Sequence, residues 1–154
     1  MINGIATKWT KFRALSRPER RVVVASAAWL PLFCLGLCLF GLRRFQAWLQ
    51  RDNPRAGNSL ALEQIDRIAA LVNIAALHAP IPANCLTRSL LLIWMLRRRG
   101  VASQLRIGVR LAQGVFDAHA WVEFAGIPIN DQADVRARFA PFAEILPPRA
   151  FQSP

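Results

Sequence analysis

The sequence predicts an α+β fold: helices packed on an antiparallel sheet, behind an N-terminal apolar helical arm. Three observations carry this. Residues 22–42 form a run of 21 residues without a charge. Two segments with apolar residues at helical spacing follow, over 59–77 and from 84 to 97. Beyond Gly100 the period drops to two, and turn residues punctuate the chain at 112–114 and 125–126.

The arm, residues 1–51, comes first. Arg20-Arg21 and Arg43-Arg44 bracket its apolar run. Length alone would let the run cross a bilayer, since about 20 apolar residues suffice. Pro31 interrupts it midway, Gly36 and Gly41 weaken its second half, and arginines flank both ends. These details favour two shorter helices broken near Pro31 that rest on a membrane surface or dock on a partner. Cys34 and Cys38 share a helical face there, but no His, Asp or Glu is close enough in sequence to complete a metal site. They read as small apolar residues.

Residues 52–58 carry Pro54 and Gly57 among polar neighbours and read as a linker. The body, 59–154, opens with Ser59 as a helix N-cap. Leu62, Ile65, Ala69, Val72 and Ala76 then make one core-facing stripe. Pro80 and Pro82 end that helix. The next starts at Asn84, a capping residue type, which puts Cys85 in the first turn. Leu86 and the run 90–96 make it apolar nearly all round, so it is a central buried helix. Arg97-Arg98-Arg99 and Gly100 suit its C-terminus. Alternation in 105–111 and 118–124 gives two strands, and 127–129 a short third.

Charge and cysteine usage restrict the function classes. The net charge is +11, yet residues 1–51 hold nine Lys and Arg against Glu19, a net +8. The basicity belongs to the arm and not to a recognition helix, which argues against nucleic-acid binding. Three cysteines make no disulfide framework, and no small-x-small cleavage site closes the apolar run. The expected location is cytoplasmic, with the arm free to associate with a membrane.

Cys85, His119 and Asp131 are the candidate site. Backbone amides and the dipole at a helix start stabilise negative charge on a thiolate, and the same amides can receive an oxyanion. His119, on the second strand, is placed to act as base. Asp131, after one turn and the short third strand, is placed to orient the ring. His78 is a rival base and Asp117 a rival orienter. Taken singly, a cysteine on an apolar helix or a histidine on a strand is more often structural. Their order and contexts make the set a stronger reading. No metal or other cofactor is implied.

Asn84-Cys85-Leu86-Thr87-Arg88-Ser89, Ala118-His119-Ala120-Trp121-Val122-Glu123, Asn130-Asp131 and the tail Phe139-Ala140-Pro141-Phe142 together resemble the lasso-peptide leader peptidases. The resemblance covers residues 59–145. It implies a transglutaminase-like, papain-like body with Cys85 as nucleophile, His119 as base and Asp131 as orienter. It further implies removal of the leader from a ribosomally made lasso-peptide precursor, ahead of macrolactam formation by an ATP-using, asparagine-synthetase-like cyclase. The chain is similar to the split form, in which a separate small protein recognises the leader. Two other readings stay open. One is an acyl transferase or deamidase on the same fold, and the other a non-enzymatic membrane-associated adaptor in which Cys85 is a core residue.

Overall fold

The computed structural model describes residues 12–51, 60–79, 81–112 and 114–142. Along the chain run α1 (Arg17–Arg51), α2 (Leu62–Leu77), α3 (Cys85–Arg97), β1 (Gln104–Ala112), β2 (Val115–Phe124), β3 (Ile127–Pro128), α4 (Val135–Arg138) and β4 (Ala140–Pro141). The strands form one antiparallel sheet in the order β3-β2-β1-β4. The α+β class expected from the sequence is the one observed. The linker expected at 52–58 and the cap expected at Ser59 lie outside the described residues. The observed N-cap of α2 is Ala61, whose amide donates to Gln64 Oε1.

The arm breaks at Gly41, not at Pro31. Pro31 sits inside α1, whereas Gly41 takes φ 71° and ψ 165°, a backbone shape open essentially to glycine alone. The chain folds back there, so that the Phe45 ring packs 5.1 Å from that of Phe33. Gly36 makes this possible, because a Cβ there would stand 2.5 Å from the Phe45 ring. A Ser16/Glu19 capping box starts the helix: Ser16 N donates to Glu19 Oε2 at 2.8 Å, and Glu19 N donates to Ser16 Oγ. Glu19 then pairs with Arg67 of α2.

Val22, Leu30, Phe33, Phe45 and Leu49 of the arm are buried in the same core as Ile65, Leu71 and Val72 of α2 and Leu90, Leu91 and Leu96 of α3. Trp29 and Phe33 meet the Trp94 ring at 4.8 and 5.7 Å. The arm is thus one layer of the fold. Helix α3 runs through the centre, with Leu90, Leu91, Leu92 and Leu96 at most 1% exposed. Each such leucine contributes about 2 kcal/mol of burial free energy. At its far end Arg99 donates to Met95 O and Gly100 turns at φ 80°, as the arginines and glycine in sequence predict.

The two faces of β2 do different work. Val122 faces the helices and joins the main core. Trp121 faces the other way and closes a second, smaller cluster with Val135 and Phe139. Gly108 of β1 pairs with His119 and has no room for a side chain. A Cβ there would meet Ala140 O at 2.9 Å and the Trp121 ring at 3.0 Å.

Candidate active site

Asn84 caps α3 as its side-chain chemistry predicts. Its Oδ1 accepts from the amide of Thr87 at 2.8 Å and from the Thr87 hydroxyl at 2.9 Å. Cys85 is therefore the first helical residue, half-buried, at the amide-rich end of α3. The amides of Cys85 and Leu86 precede the first intrahelical acceptor, so the helix itself supplies them with no partner.

One turn further on, Ser89 fixes this helix to β2. The register explains how. Strand β3 pairs only with Glu123 and Phe124, which leaves the outer edge of β2 open beyond them. Other groups fill that edge. Ile129 N donates to Val122 O at 3.0 Å, Val122 N donates to Asn130 Oδ1 at 2.7 Å, and the fully buried Ser89 hydroxyl donates to Ala120 O at 3.1 Å. Asn130 Nδ2 donates to Ser89 Oγ, and Asn73 of α2 donates to Asn130 O, both at 3.0 Å. The N-terminal half of α3 is thereby held at the strand edge next to His119.

His119 and Asp131 are joined directly. His119 Nε2 is 2.5 Å from Asp131 Oδ2. Oδ1 of the same carboxylate accepts from the Gln132 amide and from Arg138 Nη2, both at 2.8 Å. Partial burial pushes the Asp131 carboxyl up, but the bonds from His119 and the Gln132 amide, with Arg138 beside them, outweigh it and hold the pKa below the ordinary aspartate value. An ionised carboxylate can only accept, so the proton between them belongs to Nε2 and leaves Nδ1 as the ring's acceptor. The imidazole is also stacked on Phe139, with centroids 4.9 Å apart, and lies parallel to Trp121 at 6.3 Å.

Of the rivals, Asp117 pairs with Arg110 at 2.7 Å on the exposed part of the hairpin. His78 is the exposed C-cap of α2, its amide bonded to the carbonyls of Ala75 and Ala76. Cys34 and Cys38 lie on α1. Among the described residues no group of three or more His, Cys, Asp or Glu side chains could hold a metal ion.

Sequence reasoning missed the frame that supports the site. Ser89, Asn130, Arg138 and Phe139 all touch it or its neighbours. A serine and an asparagine placed beside buried apolar elements are the available signal, because buried polar groups need partners. Glu123 is the other omission. It is 2% exposed and accepts from Trp121 Nε1 at 2.8 Å, Arg106 Nε at 3.1 Å and Arg136 Nε at 2.7 Å. Burial pushes its carboxyl up, and the bonds from Arg136, Trp121 and Arg106 override this to bring it down to about 2. It anchors α4, and with it Phe139, over the His119 face of the sheet.

Helices crowned by a cysteine and set against a curled antiparallel sheet define a class of protein. Residues 21–144 match the profile of the transglutaminase-like superfamily, and the chain belongs to that family. The matched stretch begins within α1, so it takes in most of the arm. Among curated proteins, the chain is similar to the microcin J25-processing protein McjB of Escherichia coli, with 30% identity over 106 residues. That alignment covers 67% of the chain, which spans about half (50%) of the length of this relative. The resemblance read from the motifs of the sequence is borne out. No solved structure matches the chain.

Proposed function

We propose that the protein is a cysteine peptidase that removes the leader from a ribosomally made lasso-peptide precursor. The observation that carries this reading is the 2.5 Å contact of His119 Nε2 with Asp131, which leaves Nδ1 as the base of the ring, on a strand bonded through Ser89 to the helix headed by Cys85. Similarity to a microcin-processing protein supports the substrate class.

In this mechanism the Cys85 proton passes to His119 Nδ1 and the thiolate attacks the scissile carbonyl. The resulting oxyanion sits by the Cys85 and Leu86 amides. The tetrahedral adduct collapses, the C–N bond breaks, and the leaving amine of the core peptide takes the proton from Nδ1. A thioester to the leader remains. Water, deprotonated by His119, cleaves it, releasing the leader carboxylate and restoring the thiol. Asp131 keeps the imidazole in one tautomer and stabilises its charged form in each half-reaction. The freed amine is the nucleophile that an ATP-using cyclase needs for macrolactam closure, and a separate leader-recognition protein presents the precursor.

The test is incubation of precursor with the protein, with and without the leader-binding partner, read by mass spectrometry. Loss of the leader, abolished by Cys85→Ala in a folded protein, is the expected result. Cleavage that survives Cys85→Ala overturns the reading. A mass change on a precursor that keeps its leader points instead to deamidation or acyl transfer.

A further inference from the structure

The outward side of α1 is as apolar as its buried side. Val22, Ser26, Leu30 and Phe33 face the core. On the opposite side Val24, Leu32, Leu35 and Leu39 are 54–66% exposed and recur at helical spacing. Where the arm folds back at Gly41, this stripe runs into a groove of about 390 Å³ between its two limbs. Phe40 and Trp48, 58% and 51% exposed, stand on its walls. From residue 24 to residue 40 the stripe extends about 24 Å along the helix.

Two features narrow what can cover it. The first is the absence of any directing group. Between residues 22 and 42 the single hydroxyl, amide or charged side chain is Ser26, and it points inward, its hydroxyl on Val22 O and beside Met95 Sδ. A protein interface of this size would carry several hydrogen bonds to fix register. The second is the sign of the rim. Arg21 precedes the stripe and Arg43 and Arg44 follow it, all exposed, and no Asp or Glu occurs from residue 20 to residue 51.

We propose that this face is a monotopic membrane-binding surface for anionic lipid. The helix lies along the bilayer with Val24, Leu32, Leu35 and Leu39 among the upper acyl chains. Arg21, Arg43 and Arg44 meet the headgroups, and Trp29 and Trp48 occupy the interface between them. Length and composition would also allow α1 to cross a bilayer. A crossing helix, however, would have to strip Leu30, Phe33 and Phe45 from the core they share with α2 and α3. The surface binding is independent of the peptidase reading and would hold if that failed.

Flotation of the full chain with vesicles of phosphatidylcholine, with and without phosphatidylglycerol, tests this. Binding should require phosphatidylglycerol, weaken with salt, and fall about tenfold or more in R43Q/R44Q. L39Q/F40Q should lose binding as severely while keeping the wild-type circular dichroism spectrum, since both side chains are exposed. Four results overturn the proposal: no flotation with anionic vesicles, binding at the wild-type level by either double variant, a chain that resists alkaline carbonate extraction as a span does, or a stable dimer that ignores lipid.

Discussion

Asn130 donates from Nδ2 to Ser89 Oγ at 3.0 Å, and through this bond the residue before Asp131 is tied to the helix that begins with Cys85. The tie between this helix and the strand that carries His119 thus rests on two uncharged side chains. Asn130→Ala removes its bonds to Val122 N and Ser89 Oγ together and leaves the buried Val122 amide without its acceptor. The expected loss is about 2–3 kcal/mol in urea denaturation. Ser89→Ala should cost about 1 kcal/mol. Because the two share one network, the double variant should lose less than the sum, and strict additivity in the double-mutant cycle sinks the coupling.

Arg138 and Asp131 make a second prediction. Within the proposed peptidase, His119→Ala should lower kcat by about 10⁴-fold or more, and Asp131→Ala should be milder by one to two orders of magnitude. On Asp131, Arg138 meets the oxygen that His119 does not use, and it also pairs with Asp134 and lies over the Phe139 ring. Arg138→Ala should therefore leave KM unchanged and reduce kcat about tenfold, with Arg138→Lys recovering part of it. A change confined to KM would place Arg138 in substrate binding instead.

Much of this arrangement was legible because it rests on local chemistry. Asn84 before an apolar run caps α3 for the same reason any N-terminal amide wants an oxygen, and Gly100 ends the helix because it can take positive φ. The β1–β2 hairpin follows from alternation and the turn at Gly114. What escaped is non-local. Pro31 costs one helix hydrogen bond and keeps a helical φ, so α1 absorbs it, while Gly41 alone can adopt the reversing backbone. Strand β4 has two residues and no pattern to read; its place beside Gly108 is decided by tertiary contact. A separation of two residues already disfavours Asp117 against Asp131 as the partner of His119, but spacing is silent on Arg110 and Arg138, which hold the two carboxylates.

Gly108 gives a prediction that joins packing to chemistry. Gly108→Ala would drive a methyl group into Ala140 O and the Trp121 ring. Either β4 or the indole must yield, and both flank Phe139, on which His119 is stacked. A loss of about 1–3 kcal/mol in stability is expected, together with a fall in kcat larger than the unfolded fraction explains. Stability matching wild type in thermal unfolding would show that the sheet has slack at this point.

Glu123 sets the acid limit of the fold. Its carboxyl is held down at about 2 in the native state, against the ordinary glutamate value of 4.5 in the unfolded chain. A depressed native pKa means that the charged form is the one the fold prefers, so the contribution is fully present above about pH 4.5. As pH falls through that value toward 2, protonation of the unfolded state comes to favour unfolding, and the contribution is lost. Asp131, also lowered, adds in the same direction. The denaturation midpoint should therefore drop steeply between pH 4.5 and pH 2, and Glu123→Gln should flatten that slope. At neutral pH the same substitution sets a neutral amide against Arg106 and Arg136 in place of their buried counter-charge, which should cost about 3 kcal/mol. Since α4 carries Arg136 and leads into Phe139, the loss should first loosen the stacking on His119. Near-ultraviolet circular dichroism from Trp121 can follow it ahead of global unfolding.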